Sequence, residues 1–161
     1  MSATTGACLC GQIKYEFTGD IALKAFCNCK DCQRWGGATG LPNVVIDRKS
    51  FKVTAGTPKA FDVVGDSGKI NRHYFCGTCG SSLYCELEAM PENTVIKVSA
   101  DFLGAWRETF ESAGDDLLIA LIQAGSLDQP DIKEMQAELY VKDRVSYIKP
   151  IEGAQQVPAF L

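Results

Sequence analysis

The chain has 161 residues, 46% of them hydrophobic and 22% charged, with a net charge of −4. These are the proportions of a globular domain, long enough to bury a core without metal supplying all of the folding energy. No basic run is present, which excludes a phosphate-tracking nucleic-acid surface, and no apolar run approaches the ~20 residues that span a bilayer. The first five residues lack the charged-then-apolar pattern of a secretory signal. A cytoplasmic setting is therefore expected, where thiols stay reduced and serve metals or catalysis.

In chain order, residues 12–17 alternate polar and apolar, the period of a half-buried strand. Val44-Val45-Ile46 is a short β-branched run. Residues 51–54 alternate again, and Gly56 and Pro58 punctuate the turn that follows. Residues 69–75 predict a strand leading into Cys76, and residues 82–87 and 94–98 predict two more. Helical signal is sparse and best at residues 104–124, interrupted around 112–116. Within it, residues 117–122 fit either a buried strand or a buried helical turn, because a short apolar run does not distinguish them. Residues 138–141 predict a late strand, and residues 153–161 an irregular tail. The expectation is one predominantly β domain spanning residues 1–161.

The cysteines are the informative feature. Cys8 and Cys10 form a C-x-C pair followed by Gly11; Cys76 and Cys79 form a C-x-x-C pair followed by Gly80. Between them, Cys27, Cys29 and Cys32 form a C-x-C-x-x-C triple, with Gly36 and Gly37 shortly after. Close cysteines beside glycine make a chelating turn, since glycine admits the backbone conformations required. The two pairs together supply four thiolates, the complement of a closed tetrahedral Zn²⁺ site. The triple supplies three, which leaves a coordination position open, as catalytic zinc sites do. A fourth ligand from His73 or Cys85 would instead close it. Cys85 alternates with Leu83 and Leu87 and reads as a core residue of a strand. His73, the single histidine, reads as an ordinary strand residue, Trp35 as packing or a pocket wall, and Asp31 as a solvated loop carboxylate or a general base.

The ordered set Cys8-Leu9-Cys10-Gly11, then Cys27-x-Cys29-x-x-Cys32 with Arg34 and Gly36-Gly37, then Phe75-Cys76-x-x-Cys79-Gly80-Ser81 resembles the glutathione-dependent formaldehyde-activating enzyme (Gfa) family. Residues 142–147 and 151–154 resemble the C-terminal segment of fungal-type members, with Tyr147 where many carry tryptophan. The resemblance implies a mainly β, zinc-stapled β-tent fold like that of methionine sulfoxide reductase B domains. It implies a structural zinc on Cys8, Cys10, Cys76 and Cys79 and an active-site zinc on Cys27, Cys29 and Cys32. It further implies carbon–sulfur lyase chemistry on a small-molecule thiol adduct such as S-hydroxymethylglutathione, with glutathione as co-substrate. Residues 104–124 read as an insertion relative to the family. The family's Gly-Ser-Leu-Asp turn falls either at residues 125–128 or at the stretch 99–102.

Three thiolates around Zn²⁺ leave a net charge of about −1, which suits holding a soft sulfur better than generating hydroxide. Arg34, just past the triple, and Arg144, matching the family's late arginine, are the candidates for glutathione carboxylates. Arg34 could equally be solvated, and Arg144 could pair with a carboxylate inside the fold. Neither a nucleic-acid nor a membrane partner is expected, and a homodimer is compatible with the chain.

Overall fold

The computed structural model describes residues 3–89 and 119–159. Strand formation dominates. β1 is Thr4–Ala7, β2 Lys14–Phe17, β3 Leu23–Cys27, β4 Leu41–Asp47, β5 Phe51–Ala55 and β6 Lys59–Val64. β7 is Ile70–Phe75, β8 Ser82–Leu87, β9 Ile119–Gln123, β10 Ala137–Leu139 and β11 Gln155–Val157. One short helix, α1, spans Lys30–Gly36. The strands form a three-stranded sheet, β1-β2-β5, and an eight-stranded sheet, β11-β10-β3-β4-β9-β8-β7-β6. β10 runs parallel to both of its neighbours, β3 and β11. The chain is mainly β, as expected.

β4 shows why the sheet divides the molecule. Successive side chains of a strand point to opposite faces, and Val44, Val45 and Ile46 are 0%, 4% and 1% exposed. Both faces are therefore covered, which is the environment a continuous β-branched run fits. Val44 and Ile46 join Ile13, Tyr15 and Phe17 in the core under the small sheet. Val45 joins Leu23, Ala25, Ala137, Leu139 and Val157 in a second core on the other face.

Several expectations are refined. Residues 119–122 of the ambiguous apolar run fall in strand β9, seated centrally between β4 and β8. The tail expected to be irregular contains β11, which exists by pairing with β10. The expected strand at 94–98, residues 99–102 and most of the expected insertion at 104–124 lie outside the described residues. No helix among the described residues is long and apolar enough to cross a membrane.

Candidate metal centres and the adjoining cavity

The first cluster is built from two turns, each closed by a glycine amide. After β1, the Gly11 amide donates to the Cys8 carbonyl (2.9 Å), with Gly11 at φ +72°. After β7, the Gly80 amide donates to the Cys76 carbonyl (2.9 Å), with Gly80 at φ +74°. That left-handed conformation is what glycine supplies without steric cost. The turns are cross-tied: Leu9 N–H donates to Ser81 Oγ (3.0 Å), and Thr78 Oγ1 donates to Gln12 Oε1. The Ile13 amide donates to Cys8 Sγ at 3.2 Å. The four sulfurs of Cys8, Cys10, Cys76 and Cys79 lie within 4.8 Å of one another. Cys8 and Cys10 stand 3.4 Å apart, and Cys10 and Cys76 stand 3.8 Å apart. Ligands at ~2.3 Å from one tetrahedral centre would stand roughly 3.8 Å apart, so the geometry fits a four-thiolate metal site.

The second cluster sits where β3 runs into α1. Cys27 ends the strand, and Cys29 caps the helix, its Sγ accepting from the Cys32 amide at 3.3 Å. At the other end Gly37, at φ +60°, donates to the Gln33 carbonyl. The sulfurs of Cys27, Cys29 and Cys32 also lie within 4.8 Å of one another. Neither His73 nor Cys85 comes close enough to all three to join them. Among the described residues the cluster has three protein donors and no fourth.

The thiols cannot all ionise unaided. The Cys27 and Cys32 thiols turned on Cys29, with the Cys32 and Asp31 amides, hold Cys29 down at about 3. That thiolate in turn pushes Cys27 far up, and Cys27 and Cys29 together push Cys32 far up. A central cation removes the conflict, because it lets every sulfur carry its charge at neutral pH. Soft sulfur donors alone suit zinc or an iron–sulfur centre rather than a hard cation.

A cavity of about 110 Å³ adjoins this cluster. Its walls follow the strand alternation: Leu23, Ala25 and Cys27 of β3, Asn43 and Val45 of β4, Asn71 and His73 of β7, Cys85 and Leu87 of β8, and Leu139 of β10. Cys29, Asp31, Cys32, Asp66 and Tyr140 also line it. Tyr140 holds a left-handed backbone (φ +54°), which turns the chain from β10 into the loop behind the cluster. Burial, then the charges of Cys29 and Asp66, raise the Asp31 carboxyl. His73 is 6% exposed and lies tilted against Trp35 with ring centroids 4.6 Å apart, and neither of its ring nitrogens meets a protein partner among the described residues. Burial lowers its pKa, against the charge of Cys29, which raises it.

Cys85 departs from its expected place beside Leu83. The β7–β8 register shifts between Tyr74 and Phe75, so that Tyr74 faces Tyr84 and Phe75 faces Ser82. Leu83 is the extra residue, and a bulge of this kind breaks the two-residue alternation. Leu83 thus enters the core under the small sheet, whereas Cys85 lines the cavity, half-buried. Burial, followed by the charges of Cys29 and Glu86, pushes its thiol up to about 12.

The remaining expected residues lie around the cavity rather than in its wall. Arg34 is exposed on α1, and Gly36 and Gly37 end that helix. Gly36 is where helix and sheet meet: a Cβ there would stand 2.3 Å from the Leu41 side chain. Arg144 does not line the cavity; its guanidinium pairs with Glu138 (3.1 Å) and donates to Gln156 (2.7 Å). Asn28 and Glu138, 1% and 0% exposed, went unseen in the sequence. Their signal is faint: a polar residue between two clustered cysteines, and a charge inside a short apolar run.

No curated protein matches the chain. A crystal structure of a Rhodobacter sphaeroides protein matches with a TM-score of 0.51 at 17% identity, over 81% of this chain and 96% of that one. At that identity the likeness is one of fold alone. Residues 3–111 match the family described as glutathione-dependent formaldehyde-activating enzyme. That stretch is more than half of the chain and contains every cysteine of both clusters. By that match, and with both cysteine clusters assembled as the sequence led one to expect, the chain belongs to the glutathione-dependent formaldehyde-activating enzyme family.

Proposed function

We propose that the chain is a zinc-dependent enzyme of carbon–sulfur bond formation and cleavage, acting on a glutathione adduct such as S-hydroxymethylglutathione. The observation that carries this reading is the three-thiolate cluster, without a fourth protein donor among the described residues, beside a cavity. Cys27, Cys29 and Cys32 would hold the active-site zinc, and Cys8, Cys10, Cys76 and Cys79 a structural one. Bound there, zinc would supply a position at which a thiol is kept as its reactive thiolate.

The chain's own residues do the rest. Leu23, Ala25, Val45 and Leu139 give the cavity an apolar wall that excludes water from the reacting carbon. His73, Asn43 and Asn71 offer polar atoms from that wall, the few convergent polar groups typical of a small-molecule site. Arg34, exposed past Cys32, would be the guanidinium that forks onto a glutathione carboxylate. Arg144 supports the site from behind through Glu138.

The test is exchange spectroscopy on glutathione and formaldehyde at equilibrium. Zinc-loaded protein should speed interconversion of glutathione and S-hydroxymethylglutathione, and Cys29→Ala should abolish the effect. Binding of glutathione with no faster exchange would make the chain a thiol-binding zinc module instead. Neither binding nor exchange would sink the glutathione reading.

A further inference from the structure

We infer that Glu138 is a positioning residue for the open cluster: a buried carboxylate that acts through Asn28 to hold Cys27 and Cys29 aimed at one centre. The inference rests on reading that cluster as a metal site.

The residue between the two cysteines is tied through its backbone and its side-chain nitrogen, while its Oδ1 meets no partner among the described residues. The Asn28 backbone amide donates to the Leu139 carbonyl at 3.0 Å. Its side-chain Nδ2 donates to Glu138 Oε1 at 3.0 Å and to the Leu139 carbonyl at 3.1 Å. Its carbonyl accepts from Gln33 Nε2 at 2.7 Å, and the same amide donates to the Asp143 carbonyl at 3.0 Å. Side chains alternate along extended backbone. Fixing Asn28 on one side therefore fixes Cys27 and Cys29 on the other. The C-x-C spacing thus provides two ligands with an anchor between them.

Glu138 is held as firmly. Its Oε2 accepts from the Ile151 amide (3.1 Å), Gln156 Nε2 (3.0 Å) and Arg144 (3.1 Å), while Oε1 takes Asn28. A fully buried carboxylate is costly to desolvate, and an apolar residue of similar size is often equally stabilising there. Stability alone gives little reason for a glutamate at this point. What a carboxylate adds is direction: it fixes which way the Asn28 amide points. The groups that neutralise and orient Glu138 come from Arg144, Ile151 and Gln156, all beyond residues 3–111, over which the family match runs. The C-terminal strand and its turn therefore complete a site whose ligands all lie much earlier in the chain.

The closed cluster serves as an internal reference in the test. Full-length protein is loaded with cobalt(II) or zinc, and metal release to a chelator is followed for wild type, Glu138→Gln and Gln156→Ala. Cobalt spectra report the number of coordinating thiolates. Glu138→Gln should weaken metal retention at the open cluster by roughly ten-fold, the size of effect that supporting groups around ligands show. Release from the four-thiolate cluster should stay unchanged. Gln156 is exposed, so Gln156→Ala should fold and give a smaller loss at the same cluster; it decides the matter alone if Glu138→Gln does not fold. Equal weakening of both clusters, or no change at the open one, would overturn the inference. A wild type that takes up no second cobalt overturns the metal reading itself, and the inference with it.

Discussion

The two cysteine clusters lie against opposite faces of one sheet, and their surroundings differ as their ligand counts do. Cys8 and Cys76 are buried among the aromatic and aliphatic residues beneath the small sheet. Cys27 packs with the smaller core on the far side of β4, with Cys29 and Cys32 at its margin and a cavity alongside. The first cluster joins elements remote in sequence, tying the turn after β1 to the turn before β8. The second comes from a single strand–helix junction and ties nothing distant together. A metal in the first place is a cross-link; a metal in the second is held by a frame that exists without it.

The largest test of that contrast compares one cysteine from each cluster. Cys76→Ala removes a fully buried thiol and, with it, the link between the sheets that a metal there would make. It should lower stability by about 4 kcal/mol or more, or leave the chain unfolded, in urea titrations monitored by circular dichroism. Cys29→Ala should cost about 1 kcal/mol, as the loss of a helix cap does, and lower the metal count by one per chain. Equal unfolding in both would end the distinction between cross-link and framed site.

A smaller perturbation probes the frame. Gly36→Ala would press a Cβ on Leu41, which pairs across β3–β4 with Cys27. Overpacking of this sort should cost about 1–2 kcal/mol. It should also speed metal release from the open cluster while the closed one keeps its rate.

Acid provides a third test. Burial opposes ionisation of Glu138, but the Ile151 amide, Gln156, Asn28 and Arg144 outweigh it and hold the carboxyl below the usual glutamate range. A carboxyl depressed in the folded state stabilises it above the unfolded pKa, and that contribution fades as pH falls through the folded value. Wild type should therefore exceed Glu138→Gln in stability at neutral pH, and the gap should narrow as pH drops below the usual glutamate range. A gap constant across that interval would show that the carboxylate's charge does not matter.

What the sequence revealed follows the same division. The cysteine clusters were legible because such turns are local: Cys8 to Gly11 and Cys76 to Gly80 each close on their own glycine. The open triple was legible for the same reason. Its frame was not. Gln155-Gln156-Val157 has no alternation and becomes β11 only by lying beside β10. β6 has an almost wholly exposed pattern, so no buried face signals it. α1 has seven residues, none buried, and its best evidence is a cysteine cap, which read as a ligand rather than as a helix start. Glu138 needs partners at positions 28, 144, 151 and 156, and no local window contains them.

Cys85 marks the finest distinction between the two regions, because it is a thiol beside the open cluster that does not complete it. Strand alternation assigned it to the core with Leu83, and a single extra residue in β8 places it in the cavity wall instead. Its sulfur is not among the three that converge, and burial keeps its thiol protonated at neutral pH. Cys85→Ala should therefore change stability by no more than about 1 kcal/mol, since a half-buried sulfur leaves little cavity behind. The metal count and the cobalt spectrum of the open cluster should stay as in wild type. A loss of one metal, or a spectrum with one thiolate fewer, would mean that Cys85 closes the cluster in solution. The open cluster would then be a second structural site, and the contrast between the two faces of the sheet would disappear.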